Sequence, residues 1–274
     1  MSTQTRETHE GMIFRRTNAN TGRHIAVTPK NSTMKHLAYA RIRLNSSEPF
    51  VSFSNANRET GLICVSGKAT VRADGKEFEL AQYDGIYIPR DSEVEVSTKS
   101  TADLAEFSSD VTGKYPLQVV RHEETSKDPG LQFSTGGPGS SRKVTLVLAK
   151  NVQAGRLVAG FTHSDPGNWT SWPPHEHANL LEEIYVYFDM PKPAYGIQLV
   201  YSDAEYPELV TVVRDGDAVL IPRGYHPNTS VPGHGIAFLW AMAAHREVED
   251  RQFGVVNVEP GFQQGFSGLE AGQK

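Results

Sequence analysis

The chain of 274 residues contains one cysteine, no long apolar run and no strong excess of either charge. Cys64 has no second cysteine with which to form an intrachain disulfide, and its apolar surroundings at residues 61–65 predict a small buried side chain rather than a nucleophile. A single cysteine is typical of a reducing compartment. No stretch reaches the length of a membrane span, and the N-terminus lacks the apolar region of a secretory signal. We therefore expect a cytoplasmic protein with no membrane partner.

The charge balance also argues against nucleic acid as a partner. The 27 basic and 32 acidic residues give a net charge of −5, whereas a nucleic-acid-binding protein usually presents a basic surface. The hydrophobic content of 38% is ordinary for a globular protein, and a chain of this length can bury a core without disulfides. A small-molecule ligand is the expected partner.

Helical periodicity is scarce, and short strand-like runs take its place. These runs are rich in Val, Ile, Phe, Tyr and Thr and are separated by Gly, Asp, Asn and Pro. Examples are residues 50–53, 69–72, 86–88, 144–148 and 197–201. Asp74 and Gly75 form a pair typical of a tight hairpin turn. The pattern predicts an all-β protein of the sandwich or barrel type.

Two halves of the sequence resemble each other. DGIYIPRDSE at residues 84–93 recurs as DAVLIPRGYH at residues 217–226, and residues 123–142 between the halves are rich in Gly, Pro and Ser. We predict a first domain at 1–122, a linker at 123–142, a second domain at 143–260 and a polar tail at 261–274. His226 stands where the first copy has Glu93. The second half should therefore carry the chemistry, and the first should hold no metal.

A His-x-His pair opens the most informative segment of the second half. His175 and His177 follow two prolines that oppose a helix, and in an extended chain their side chains leave the same face. In the next strand-like run, Glu183, Tyr185 and Tyr187 share a polar face, while residues 184, 186 and 188 form an apolar one. Glu183 is therefore the expected third ligand, and Glu182 replaces it if a β-bulge shifts the register.

His226 follows a Pro-x-Gly turn at a predicted strand mouth and completes the proposed set of metal ligands. Three neutral imidazoles and one carboxylate form a mixed nitrogen and oxygen site that suits Zn, Mn, Fe or Ni. We expect Zn. The four ligands are His175, His177, Glu183 and His226.

The order His-x-His, Glu, Pro-x-Gly-x-His resembles that of the cupin superfamily, and the duplication resembles a bicupin. That resemblance implies two tandem cupin barrels of the double-stranded β-helix, or jelly-roll, type. Residues 66–71, 166–177, 181–185 and 213–227 look like the 5-deoxy-glucuronate isomerases of myo-inositol catabolism. Residues 183–188 and 238–242 look like the related 5-keto-4-deoxyuronate isomerases.

The resemblance implies a metal-dependent aldose–ketose isomerase that converts 5-deoxy-glucuronate to 2-deoxy-5-keto-gluconate. A divalent cation favours such a reaction because it stabilises the charge that develops when a proton leaves the carbon beside a carbonyl. Three alternatives remain open. They are a 5-keto-4-deoxyuronate isomerase of pectin breakdown, an Fe-dependent cupin dioxygenase and a non-enzymatic sugar-binding cupin.

Candidate substrate contacts follow from the predicted faces and from the acid group of the substrate. Tyr185 and Tyr187 share the face of Glu183, so each is a candidate proton shuttle or hydroxyl contact, or simply a packing aromatic. Arg142, Arg156 and Arg223 are candidates for binding the substrate carboxylate with two parallel hydrogen bonds. A structural role is the alternative for Arg223, which repeats Arg90 of the first half. We also expect a homo-oligomer, since barrels of this kind pair through exposed sheet edges.

Overall fold

The computed structural model of the protein describes residues 11–262, which form 23 strands and one four-residue helix. The elements of the first half are β1 (Ile13–Phe14), β2 (Gly22–Val27), β3 (Leu37–Leu44), β4 (Phe50–Ser54), β5 (Arg58–Gly67), β6 (Ala69–Ala73), β7 (Lys76–Leu80), β8 (Gly85–Ile88), β9 (Glu93–Ser97), β10 (Ala102–Asp110), β11 (Gln118–Val120) and α1 (His122–Thr125). Within these described residues no helix is long and apolar enough to cross a membrane.

The second half contains β12 (Gln132–Thr135), β13 (Arg142–Leu148), β14 (Leu157–Ser164), β15 (Trp169–Thr170), β16 (His175–Glu176), β17 (Leu181–Phe188), β18 (Gly196–Val200), β19 (Leu209–Val213), β20 (Ala218–Ile221), β21 (Asn228–Ser230), β22 (Ala237–Ala244) and β23 (Asn257–Val258). The all-β prediction is confirmed.

Each half forms a barrel from one large sheet and one smaller sheet. The first barrel combines a six-stranded sheet, in the order β11-β8-β5-β10-β3-β2, with a four-stranded sheet, β4-β9-β6-β7. The second combines a seven-stranded sheet, β1-β20-β17-β22-β14-β13-β12, with the sheet β15-β21-β18-β19 and the pair β16-β23. The paired strands described within these sheets are antiparallel.

Three apolar clusters make up the core. One fills the first barrel, where Leu62 and Cys64 of β5 meet Val71 and Val96 of the smaller sheet. A second lies inside the second barrel. The third contains residues of both large sheets, so it packs the barrels against each other through their outer faces. Alternate residues of a strand point to opposite faces of its sheet. One face of each large sheet therefore lines a barrel interior, and the other packs at the junction between the two barrels.

The division into a first domain at 1–122 and a linker at 123–142 stays a prediction. Two segments that it places outside the second domain pair with the second barrel. β1 pairs with β20, and β12, inside the predicted linker, pairs with β13. The physical reason is that main-chain groups at a sheet edge need hydrogen-bond partners, and a distant segment can supply them. Residues 263–274, most of the predicted tail, lie outside the described residues.

Two buried glutamates link the barrels reciprocally. The carboxylate of Glu59 on β5 accepts backbone N–H bonds of 2.6–2.8 Å from the residues that begin β14. The carboxylate of Glu182 on β17 accepts bonds of 2.7–2.8 Å from the residues that begin β3. The donors are Gly155, Arg156 and Leu157 for the first, and Lys35, His36 and Leu37 for the second. This reciprocity reflects the internal duplication predicted from the sequence.

Candidate metal centre

Local backbone conformation and hydrogen bonds place the histidines in the interior of the second barrel. His175 lies on β16 after two prolines, which hold the chain extended, and His177 lies in the turn that follows. The carbonyl of His177 accepts the N–H groups of Leu180 and Leu181, which turns the chain into β17 and Glu183. His226 follows Gly224, whose φ of +90° suits glycine, and a Cβ there would lie 2.7 Å from the carbonyl oxygen of Tyr201.

Three of the four predicted ligands converge. The candidate ligand atoms of His177, Glu183 and His226 all lie within 4.8 Å of one another, and all three residues are buried. The Oε2 atom of Glu183 lies 2.9 Å from Nε2 of His177 and 3.2 Å from Nε2 of His226. His175 stands at the edge of this group, with its ring centroid 5.0 Å from that of His226.

The histidine rings are oriented by backbone carbonyls. Nδ1 of His177, His226 and His175 lies 3.3, 2.9 and 2.8 Å from the carbonyl oxygens of Leu181, Gly224 and Pro173 respectively. A carbonyl only accepts, so each Nδ1 carries a proton, and Nε2 is the atom of each ring that can bind a metal ion once it is deprotonated. Nε2 of His226 is buried and has no hydrogen-bond partner within residues 11–262. A cation between these atoms would satisfy it, so the residues fit a divalent metal ion.

Burial and proximity set the charges of the cluster. Burial lowers the pKa of His175 to about 3, so this ring is neutral at pH 7. Burial alone would raise the pKa of Glu183, but the hydrogen bond from His177 outweighs it and the pKa falls to about 2. Burial opposes charge on His177 as well, yet its bond to Glu183 raises the pKa of the ring. The centre therefore offers an ionised carboxylate among imidazoles.

Arg142 and Tyr185 join the cluster at a small cavity of about 60 Å³, which is also lined by His175 and Glu183. Arg142, at the start of β13, donates to the carbonyl oxygens of Ser140 and Trp172 at 2.8 and 2.7 Å. Its burial lowers the guanidinium pKa to about 10, so it remains a cation at pH 7. The hydroxyl of Tyr185 lies 2.6 Å from Oγ of Ser171. The cavity thus presents a cation and a phenol beside the candidate ligands.

Four other residues singled out by the sequence lie elsewhere. Tyr187 faces the barrel interior as predicted, but its hydroxyl donates to Gln198 and accepts from Asn228, and it does not line the cavity. Glu182 points the opposite way from Glu183, into the junction between the barrels. The alternating register explains both positions.

Arg156 and Arg223 are not brought to the cavity. The guanidinium of Arg156 donates to three backbone carbonyls, those of Asp110, Ala244 and His245, and thereby joins the two barrels. Arg223 is exposed on the turn after β20. Sequence proximity favoured Arg223, whereas the fold directs its side chain away from the barrel interior. Of the three candidate arginines, only Arg142 lines the cavity.

Sequence reasoning missed several residues of the cavity wall. Ser171 contacts Tyr185, and Thr162, Trp240 and Phe253 line the same space. Ser171 has a φ of +51°, which is uncommon for a residue other than glycine. Its position beside the His-x-His segment was the one available signal. Thr162 and Trp240 lie on strands whose pairing the sequence alone does not reveal, and Phe253 lies in a turn between β22 and β23.

The first barrel has no equivalent centre among the described residues. Thr60 on β5 pairs with Ile88, just as Glu183 on β17 pairs with Ile221, so a threonine occupies the place of the carboxylate ligand. Glu93 is exposed at the start of β9. The interior is filled by the apolar cluster that contains Leu62 and Cys64. The first barrel is therefore built as a packed support.

Two barrels of this topology, one with a packed interior and one with a buried His/Glu cluster, define a cupin protein of the two-barrel class. Solved structures share the fold. They include an IolB-like protein from Salmonella typhimurium LT2, with a TM-score of 0.82, 22% identity and coverage of 92% of this chain and 98% of that one. An oxalate decarboxylase mutant from Bacillus subtilis matches with a TM-score of 0.63 and 13% identity, over 87% of this chain and 78% of that one.

The chain belongs to the KduI/IolB family, whose model matches residues 12–256. A curated relative, the 5-deoxy-glucuronate isomerase of Lacticaseibacillus casei, is 29% identical over 81% of this chain and 86% of its own. The enzyme of that name from Geobacillus thermodenitrificans is 26% identical over 81% and 85%. The 4-deoxy-L-threo-5-hexosulose-uronate ketol-isomerase of Caldicellulosiruptor bescii is 28% identical over 69% and 68%. The chain is an enzyme of the isomerase class.

Proposed function

We propose that the chain is a divalent-metal-dependent ketol-isomerase that converts 5-deoxy-glucuronate to 2-deoxy-5-keto-gluconate. The observation that carries the proposal is the buried group of His177, Glu183 and His226, because Glu183 of this group lines one small cavity together with Arg142 and Tyr185. The names of the relatives supply the substrate. Cytoplasmic location and assembly into a homo-oligomer stay predictions.

The ligands in this proposal are His175, His177, Glu183 and His226. When bound, a divalent ion supplies Lewis-acid stabilisation of negative charge on substrate oxygens. Nitrogen and oxygen donors of this kind accept Zn, Mn, Fe or Ni, and we propose Zn. The backbone carbonyls that hold each Nδ1–H leave Nε2 as the ligand atom of each ring and fix the ring orientation, which reduces the cost of organising the site.

Arg142 supplies a positive charge that can bind the carboxylate of a sugar acid. Its guanidinium is buried beside the candidate ligands, and a carboxylate bound there would not have to compete with bulk water. The bonds to Ser140 and Trp172 hold the side chain in one orientation. Arg142 would therefore anchor the acid group and orient the rest of the sugar towards the histidines.

Tyr185 is placed to handle a proton. Its hydroxyl reaches the cavity while bonded to Ser171, and its ring centroid lies 5.7 Å from that of His226. Isomerisation removes a proton beside a carbonyl and returns one to the neighbouring carbon. A phenol held at this place can donate to a substrate oxygen, and positioned acid–base groups contribute typically ~10²–10⁴-fold in rate.

Elemental analysis combined with two isomerase assays tests the proposal. We expect wild type and the control variant His24→Ala, an exposed histidine of the first barrel, to bind about one metal ion per chain and to isomerise 5-deoxy-glucuronate. His177→Ala should lose both properties because it removes one of the converging ligands. Wild type without metal after reconstitution would refute the site. Metal without turnover would refute the isomerase reaction, and oxygen consumption with Fe(II) would then point to a dioxygenase.

A second substrate is favoured by the similarity to the Caldicellulosiruptor bescii enzyme. Its printed name describes a ketol-isomerase of 4-deoxy-L-threo-5-hexosulose-uronate, which needs the same kind of proton transfer on another sugar acid. The assay above should therefore include both compounds at equal concentration. A higher kcat/KM for the hexosulose-uronate would replace 5-deoxy-glucuronate as the substrate and leave the site assignment intact.

A further inference from the structure

A second cavity, of about 490 Å³, lies on the outer side of the strands that line the metal centre. We call it the inter-barrel groove and define it by Tyr83 and His122 of the first half together with Lys143, Phe161 and His163 of the second. Val144 and Thr162 of β13 and β14 face the metal cavity, whereas their strand neighbours face the groove. One sheet therefore lies between the two cavities, and Arg142 at the start of β13 lines both of them.

Aromatic rings form the apolar wall of the groove. The ring centroids of Tyr83 and Phe161 lie 4.7 Å apart, and His163 meets Phe161 edge-on at 5.6 Å. His122 packs at 5.2 Å from Tyr83. Tyr83 holds its ring there with a φ of +71°, a conformation that costs a bulky side chain energy. The cluster joins the two barrels without using any residue of the proposed isomerase centre.

Polar groups are distributed along the same cavity. Nδ1 of His122 is buried with no hydrogen-bond partner among the described residues, and an unsatisfied buried polar atom calls for a ligand or a water. Burial lowers the pKa of both His122 and His163, so at pH 7 each ring offers one donor and one acceptor. Exposed Lys143 adds a cation and exposed Asp165 an acceptor at the rim.

We propose that the inter-barrel groove binds a polyhydroxylated small molecule of monosaccharide size. The half-buried ring of Tyr83, backed by the buried Phe161, suits the C–H face of a sugar ring, and the imidazoles, lysine and carboxylate suit hydroxyl groups that both donate and accept. Lys143 gives an acidic sugar an advantage over a neutral one, which Asp165 and nearby Asp189 moderate. The groove lies on the opposite side of the sheet from the His/Glu cluster, shares only Arg142 with the lining of the metal cavity, and does not depend on the isomerase proposal.

Calorimetric titration with D-glucuronate and with D-glucose tests the groove. Wild type, His24→Ala and His177→Ala should bind both sugars, with Kd on the order of 1 mM and glucuronate the tighter. His163→Ala should weaken both by about tenfold. Lys143→Ala, at an exposed position that the fold does not need, should remove the preference for glucuronate and keep glucose binding. The His177→Ala variant separates this site from the metal centre.

Three results would overturn the proposal. They are an absence of saturable binding of either sugar, equal binding by wild type and a folded His163→Ala, and loss of binding in His177→Ala. Binding of glucuronate without glucose would also overturn it, because simple ion pairing at Lys143 would then suffice. None of these results bears on isomerase turnover, so the two proposals fail separately.

Discussion

Tyr185 and Tyr187 lie two residues apart on β17, face the same barrel interior and differ in what their hydroxyls contact. The Tyr185 hydroxyl reaches the metal cavity, so Tyr185→Phe should lower kcat by about 100-fold while the metal content stays unchanged. The measurement is steady-state kinetics of the metal-loaded enzyme. A kcat within a factor of two of wild type would exclude the hydroxyl from proton transfer.

Tyr187→Phe is the matched control. The hydroxyl of Tyr187 is hydrogen-bonded to Gln198 and Asn228 inside the barrel, where a lost bond leaves these partners unsatisfied. This variant should lose about 1–3 kcal/mol of stability to denaturant and keep most of its kcat. The two phenylalanine variants therefore distinguish a hydroxyl that takes part in proton transfer, at Tyr185, from one that stabilises the barrel interior, at Tyr187.

Arg142 is the residue whose charge we assign to substrate recognition. Arg142→Lys keeps a cation but loses the fork of donors, so kcat/KM should fall by about 10–100-fold, mostly through KM. Arg223→Ala, an exposed arginine on the turn after β20, is the control and should leave both constants unchanged. Loss of activity in Arg223→Ala with wild-type kinetics in Arg142→Lys would reverse the assignment.

At the scale of the element, β17 carries two adjacent glutamates whose side chains point to opposite faces of the sheet. Glu182 accepts three backbone N–H bonds from the start of β3, whereas Glu183 lies among the histidines. Glu182→Gln should lower the free energy of unfolding by about 2 kcal/mol and retain the metal, because a neutral amide is a weaker acceptor and its NH₂ group finds donors in place of acceptors.

Glu183→Gln should lower the metal content. In the metal-free state, it should change the stability to denaturant less than Glu182→Gln does. Elemental analysis and urea unfolding of both variants provide the comparison. Metal loss in Glu182→Gln, with the metal retained in Glu183→Gln, would mean that the register of β17 is shifted by one residue.

The sequence could predict this strand because its pattern is local. Alternation of polar and apolar residues identified which side chains of β17 enter the barrel, and His-x-His after two prolines indicated an extended segment. The pairing of β1 with β20, and the strand β12 within a stretch rich in Gly, Pro and Ser, depend on partners far along the chain. Local composition carries no signal for such contacts, so the sequence alone predicted neither pairing.

The same reasoning applies to the candidate site. Motif spacing indicated His177, Glu183 and His226, whose candidate ligand atoms lie within 4.8 Å of one another, and their role as ligands stays a prediction. Sequence proximity alone does not indicate where Arg223 lies, because the turn that carries the buried His226 leaves Arg223 exposed. Arg142 enters the cavity from a strand that is remote in sequence and adjacent in the sheet.

At the scale of the whole molecule, Glu247 joins the barrels. Its carboxylate accepts bonds of 2.7–2.8 Å from Thr112, Gly113 and Tyr115 of the first half. Burial opposes the charge, but the bonds from Thr112 outweigh it and lower the pKa to about 2, against an ordinary 4.5. A depressed carboxyl pKa stabilises the fold above pH 4.5, and this contribution is lost as the pH falls towards 2.

Glu247→Gln should therefore cost about 1 kcal/mol of stability at pH 7, a small value because the group is partly exposed to solvent. The difference from wild type should shrink as the pH falls below about 4.5. Urea unfolding at a series of pH values checks this. A difference that grows on acidification would contradict the linkage. Glu249→Gln, at an exposed neighbouring position, is the control.

The place of β1 also has a consequence for the order in which the protein is made. Residues 13 and 14 are synthesised before the first barrel, yet their partners Val219 and Ala218 follow about 200 residues later. β1 must therefore remain without these partners while the first barrel is made. The seven-stranded sheet gains this edge strand only after β20 has been synthesised.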